Sequence, residues 1–118
     1  MKLTGKIVAG EGRGRQMSLP TINLDQHPED LEEGVYAVWV SFDGERHAGA
    51  MNWGPRPTFG EEKAVMEVHL LDYEGNLYEQ VVELETVERL RAVQKFETQT
   101  ALIEQIQKDI AACRTLLL

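Results

Sequence analysis

The stretch "GVYAVWVSFDGERHAGAM", residues 34 to 51, narrows the possible folds more than any other part of the chain. Nine residues rich in Val and aromatics (34–42) run into Asp43-Gly44, and a second run, "ERHAGAM", follows at once. Asp-Gly between two such runs makes a tight hairpin turn, so the two strands are antiparallel neighbours. The same grammar recurs further on. In "AVMEVHLLDY" (64–73), Ala64, Met66, Val68 and Leu70 share one face, and Val65, Glu67, His69 and Leu71 share the other. "EGN" (74–76) then turns the chain back into "LYEQVVELE". Leu3, Gly5 and Ile7, beside Val8, read as a first strand. So many strands on short turns in 118 residues predict an antiparallel sheet closed into a barrel.

The period changes at the C-terminal end. Ile103, Ile106, Ile110, Cys113 and Leu117 step by three and four, with Thr98 or Thr100 as N-cap, which predicts an amphipathic helix covering the barrel. Cys113 lies on that apolar stripe and reads as a packed thiol rather than a nucleophile. "DQHPEDLEE" (25–33) reads as a polar loop. "NWGPRPTFG" (52–60), with two glycines and two prolines, reads as a loop too.

One core is enough for a chain of this length, and the 42% aliphatic and aromatic content supports it without disulfides. A single cysteine excludes an intrachain disulfide and any Cys-x-x-Cys metal site. No apolar run reaches the length of a membrane span, and no apolar signal segment follows Met1, so the cytoplasm is the expected compartment. The net charge of −8 disfavours non-specific nucleic-acid binding. That charge is uneven: residues 1–15 hold four cations against Glu11 alone, a balance of +3, which leaves −11 on the rest.

Three features carry possible chemistry. The first is "GEGRGRQMSLPTINL" (10–24), with glycines at 10, 12 and 14. Its backbone N–H groups suit a concavity for phosphate oxygens, and they equally suit a flexible connection. The P-loop pattern is absent from the chain. The second is Pro20-Thr21-Ile22-Asn23, either a proline turn or a site where Thr21 and Asn23, two apart on one face, offer hard oxygens to Mg²⁺. The third is Glu67, a mid-strand carboxylate that is either solvent-facing or functional. His27, His47 and His69 are too scattered in sequence to suggest a metal cluster.

Taken together, "GEGRGRQMSLPTINL", "GVYAVWV", "MNWGPRPTFG", "MEVHLLDYEGNLYE" and "RLRAVQKFETQTALIEQIQKDI" resemble the riboflavin kinase (flavokinase) family, including the C-terminal module of bacterial bifunctional enzymes. The motifs stand in the family's order along nearly the whole chain. The resemblance implies a single domain over 1–118, a six-stranded antiparallel Greek-key barrel with a C-terminal α-helix packed on it. It implies ATP as co-substrate, Mg²⁺ as cofactor, and phosphorylation of riboflavin to FMN. By position, Gly10, Gly12, Arg13 and Gly14 would cover the ATP phosphates. Thr21 and Asn23 would hold the metal, with Asn23 also supporting the phosphates. Asn52 and Arg56, Pro57, Thr58 and Phe59 would line the nucleotide side. Glu67 would be the general base, and Arg91 would belong to a mobile loop over the flavin.

The chain departs from the family pattern at Ser18, Leu19 and Ile22, where Gly, Phe and Ala are usual, and at Glu79, where Gly is usual. Ala92 and Val93 stand where acidic residues are common. A monomer binding riboflavin and ATP, with no membrane or nucleic-acid partner, is the expectation. A non-catalytic flavin- or nucleotide-binding module on the same barrel is the alternative. An oligonucleotide-binding barrel is disfavoured by the acidic charge and the lack of a basic aromatic face.

Overall fold

A computed structural model of the protein describes residues 1–8, 21–73 and 79–118, apart from the side chains of Phe59, Glu61 and Glu62. Strands β1 (Lys2–Val8), β2 (Ile22–Leu24), β3 (Gly34–Phe42), β4 (Glu45–Arg56), β5 (Glu61–Leu70) and β6 (Val81–Arg91) precede helix α1 (Gln99–Leu117). The strands close into an antiparallel barrel in the order β1-β2-β5-β4-β3-β6. Strands β3, β4 and β5 are consecutive antiparallel neighbours, and β6 returns to lie beside β3, which is the Greek-key arrangement. The β3–β4 turn is the expected one: Asp43 at φ 53° and Gly44 at φ 74° give the two left-handed residues of a type I′ turn.

Alternation sorts the side chains into two layers. Inward residues such as Ile7, Leu24, Val38, Val40, Met51, Met66, Val68, Val82 and Leu84 fill the barrel. A second apolar layer lies outside it, where Ala37, Ala48, Ala50, Leu71 and Cys113 pack with Trp39, Leu90, Ile110 and Leu117. Small alanines on the outer face of β3 and β4 let α1 settle close against the sheet. Thr98 caps the helix, its Oγ1 accepting from the Ala101 N–H at 3.1 Å. At the other end Arg114 donates to both carboxylate oxygens of Asp72 at 2.7 Å, tying the helix to the end of β5. That guanidinium holds the Asp72 carboxyl below its ordinary pKa. Among the described residues, no helix is long and apolar enough to cross a membrane.

Two expectations are corrected. Residues 52–56 are not loop: β4 runs through Asn52, Trp53, Gly54 and Pro55 to Arg56, and only Pro57–Phe59 leave it, as a turn of 3₁₀ helix. The ladder with β5 shifts register between Gly54 and Arg56, and Gly54 takes φ 132°. A glycine at positive φ beside an irregularity is where a strand can admit a proline that donates no ladder bond. The second correction concerns Ile22 and Asn23, Pro20 lying outside the described residues. Ile22–Leu24 form a short strand paired to both β1 and β5, so Asn23 is a strand residue and not part of a turn.

Candidate active site

Strand register builds the site. Asn23 on β2 stands opposite Glu67 on β5. Glu67 stands opposite Asn52 on β4, Asn52 opposite Val35 on β3, and Val35 opposite Arg91 on β6. Directly opposed residues share a face. Ile22, Leu24, Met66 and Val68 belong to the barrel core, so this row lies on the outside. Five strands thus contribute one transverse line of polar and charged groups, interrupted by a single valine.

The row does not face open water. The 3₁₀ turn, residues 92–96 and the N-terminal half of α1 rise around it to form a cleft. Its empty volume is about 590 Å³, including space open to solvent. Val93, Phe96, Leu102 and Ile106 form an apolar wall. Asn52, Arg56, Thr58, Glu67, His69, Arg91 and Asp109 provide the polar lining.

Glu67 is 5% exposed, so the solvent-facing reading of that carboxylate fails. Its Oε2 accepts from Arg56 Nη1 at 2.6 Å, and Arg56 is itself only 7% exposed. A carboxylate can be buried this deeply because a guanidinium is buried with it. His69, two residues on along the same face, is also buried at 8%.

The opposite wall is held by a second ion pair. Arg91 grips Asp109 side-on, through Nε at 3.0 and 3.2 Å and Nη2 at 2.8 Å. Gln105, one helical turn before Asp109, donates to the same carboxylate at 3.1 Å. Arg91 Nη1 donates to the Ala92 carbonyl at 3.1 Å, and the guanidinium carbon lies 5.7 Å from the Phe96 ring centre. The Phe96 N–H in turn donates to Thr58 Oγ1 at 3.0 Å. Residues 92–96 are therefore anchored at one end to the helix and at the other to the 3₁₀ turn.

Asn52, Arg56, Pro57, Thr58, Glu67 and Arg91 come together in this cleft. Asn23 adjoins it through its pairing with Glu67, and Thr21 precedes Asn23 by two residues, half-buried like it. Gly10, Gly12, Arg13 and Gly14 lie outside the described residues, as does the Phe59 side chain. Arg56 is also engaged with Glu67. Arg91 ends strand β6 and is not a loop residue. Sequence reasoning missed Asp109, and a signal for it existed. It falls three residues after Ile106 and four before Cys113, an acid on the apolar stripe of a helix. Ile22, bulkier than the family's usual alanine, packs against the barrel core rather than toward the cleft.

Comparison with known proteins agrees with this architecture. The family model described as "Flavokinase: Riboflavin kinase" matches residues 1–117. The chain belongs to the flavokinase family. It is 38% identical over 117 residues to the bifunctional riboflavin kinase/FMN adenylyltransferase of Pseudomonas fluorescens, covering 98% of this chain and 38% of that protein. The chain thus spans little more than a third of that relative's length. Human riboflavin kinase is 32% identical over 114 residues, which cover 90% of this chain and 74% of the human protein. The crystal structure of riboflavin kinase from Trypanosoma brucei superposes with a TM-score of 0.68 at 22% identity, over 98% of this chain and 78% of that one. At that identity the likeness is one of fold.

Proposed function

We propose that this chain is an ATP-dependent riboflavin kinase, acting as a cytosolic monomer, that transfers the γ-phosphoryl group of ATP to the ribityl 5′-hydroxyl of riboflavin. The observation that carries the reading is the row Glu67–Asn52–Arg91 along one cleft, with Asn23 paired beside Glu67, in a chain of the flavokinase family. The bond from the 5′-oxygen to phosphorus forms as the bond from phosphorus to the β–γ bridging oxygen breaks. ADP leaves, and the hydroxyl proton passes to Glu67.

The Arg56 pair bears on how Glu67 works. The Arg56 guanidinium, 2.6 Å away, holds the carboxylate in place. Phosphoryl transfer through a loose transition state depends more on alignment than on early proton removal. Glu67 then both orients the hydroxyl and takes its proton, its geometry fixed by Arg56. Thr21 and Asn23 carry a hydroxyl and an amide oxygen, the hard donors that Mg²⁺ takes when substrate phosphates and water complete its shell. They fit that ion, which when bound would neutralise phosphate charge. Gly10, Gly12, Arg13 and Gly14 would close over the phosphates, with Asn52, Arg56, Pro57, Thr58 and Phe59 toward the nucleotide and Arg91 toward the flavin.

The Arg56–Glu67 pair also favours a second reading, a binding module in which the carboxylate has become structural. Incubation with riboflavin, ATP and Mg²⁺, followed by chromatographic separation of FMN, decides between them. No FMN with any of several divalent metals and nucleotides, while riboflavin still binds, would select the binding module.

A further inference from the structure

We infer that Asp109 is a positioning residue for flavin binding, acting through Arg91. The inference rests on the proposed reading that the cleft takes riboflavin. Asp109 is 5% exposed on the inner face of α1, between Ile106 and Cys113, where packing against the barrel calls for an apolar side chain. A buried ion pair is seldom more stabilising than an apolar pair of the same volume, so helix docking alone does not account for it.

Its geometry does. The side-on grip engages Nε and Nη2 together, which fixes the plane of the guanidinium as well as its place. Gln105 holds the carboxylate from the helix side, so the acceptor is oriented before the cation meets it. Arg91 also bonds the Ala92 carbonyl, and among the described residues one N–H on each terminal nitrogen stays uncommitted at the wall of the cleft. Asp109 therefore sets the direction in which Arg91 meets a ligand and the point where β6 gives way to the Phe96 segment.

The test compares wild type, Asp109→Asn, Arg91→Lys and the combination of both. Equilibrium riboflavin binding, Mg-ADP binding, steady-state kinetics and thermal melts are measured on each. Asp109→Asn keeps the size and loses the ionic grip, so the riboflavin Kd and KM should rise about tenfold or more. Mg-ADP affinity and kcat should change far less. The double variant should bind riboflavin no worse than about twofold beyond the weaker single variant, because both changes break one interaction. A folded Asp109→Asn protein with wild-type riboflavin affinity would overturn the inference, as would additive losses.

Should Asp109→Asn fail to fold, the apolar pair Arg91→Met with Asp109→Leu replaces it. Wild-type riboflavin binding by that variant, or its own failure to fold, makes the pair purely structural and also overturns the inference. Weakened riboflavin binding with Mg-ADP binding retained supports it. Wild type that neither binds riboflavin nor forms FMN would instead remove the functional reading, and this inference with it.

Discussion

Glu67 is a carboxylate enclosed with its counter-ion, and replacing it by an isosteric amide separates its possible roles. Glu67→Gln should lower kcat roughly 10²–10⁴-fold, the usual contribution of an acid–base group. Riboflavin and ATP binding should stay close to wild type, measured by equilibrium titration, and Glu83→Gln on the exposed side of β6 is the control. His69 would be a poor control because it is buried in the same cleft. Turnover near the wild-type rate would rule out the assignment. Glu79 makes a different point. It stands where the family usually has glycine, and its φ is 67°, in the left-handed region. Its side chain is exposed, so the strain has no evident packing return. Glu79→Gly should stabilise the fold by roughly 0.5–1 kcal/mol, the left-handed penalty less the extra backbone entropy of glycine. Denaturant unfolding measures it. The outward side of Glu67 was legible from alternation alone. Its burial was not, because the groups that cover it come from residues 56–58 and from a helix about 40 residues further on.

At the scale of elements, α1 was the most legible part, since a capping threonine and a 3–4 apolar period are both local signals. Thr98→Ala should cost about 1 kcal/mol by removing the acceptor for the Ala101 N–H, read as a shift in denaturation midpoint. An unchanged midpoint would mean the helix start is held by packing alone. Cys113 reports on how tightly the same helix is seated. It is fully buried, and burial first, then the charge of Asp109, push its thiol pKa to about 11. The native protein should resist alkylation at pH 8 and react only once unfolded. The thiol is the stabilised form when folded, so this contribution is complete below the ordinary value of 9.0 and is lost as pH rises toward 11. Rapid native-state labelling at pH 8 would contradict the seating. Strands β2 and β4 were less legible. Three residues are too few to show a period, and Gly54-Pro55 reads as an interruption until a partner strand is known to accommodate it. The register shifts that bring Arg91 opposite Val35 are likewise settled between strands, and neither β3 nor β6 announces them alone.

For the molecule as a whole, ligand binding and stability should be coupled. A ligand at a hundred times its Kd adds about 2.7 kcal/mol to folding, or roughly 10 °C for a domain of this size. Riboflavin with Mg-ADP should raise the melting temperature by that order, and no rise with either ligand at saturation would argue against the cleft as their site. The order of the strands carries one more consequence. The barrel is sealed by β1 against β6, where Lys2 meets Glu85, and the Met1 amine bonds Thr86 Oγ1 at 2.9 Å. That seam joins residues separated by most of the chain, so its closure demands a large loop-entropy cost before any reward. During synthesis the first strand must therefore wait, unpaired on that side, until residues 81–91 have left the ribosome. Arg91 arrives with that same final strand. A nascent or truncated chain lacking it has no closed wall, and the cleft is completed only once residues 92–109, which supply Phe96, Ile106 and the Asp109 partner of Arg91, have followed.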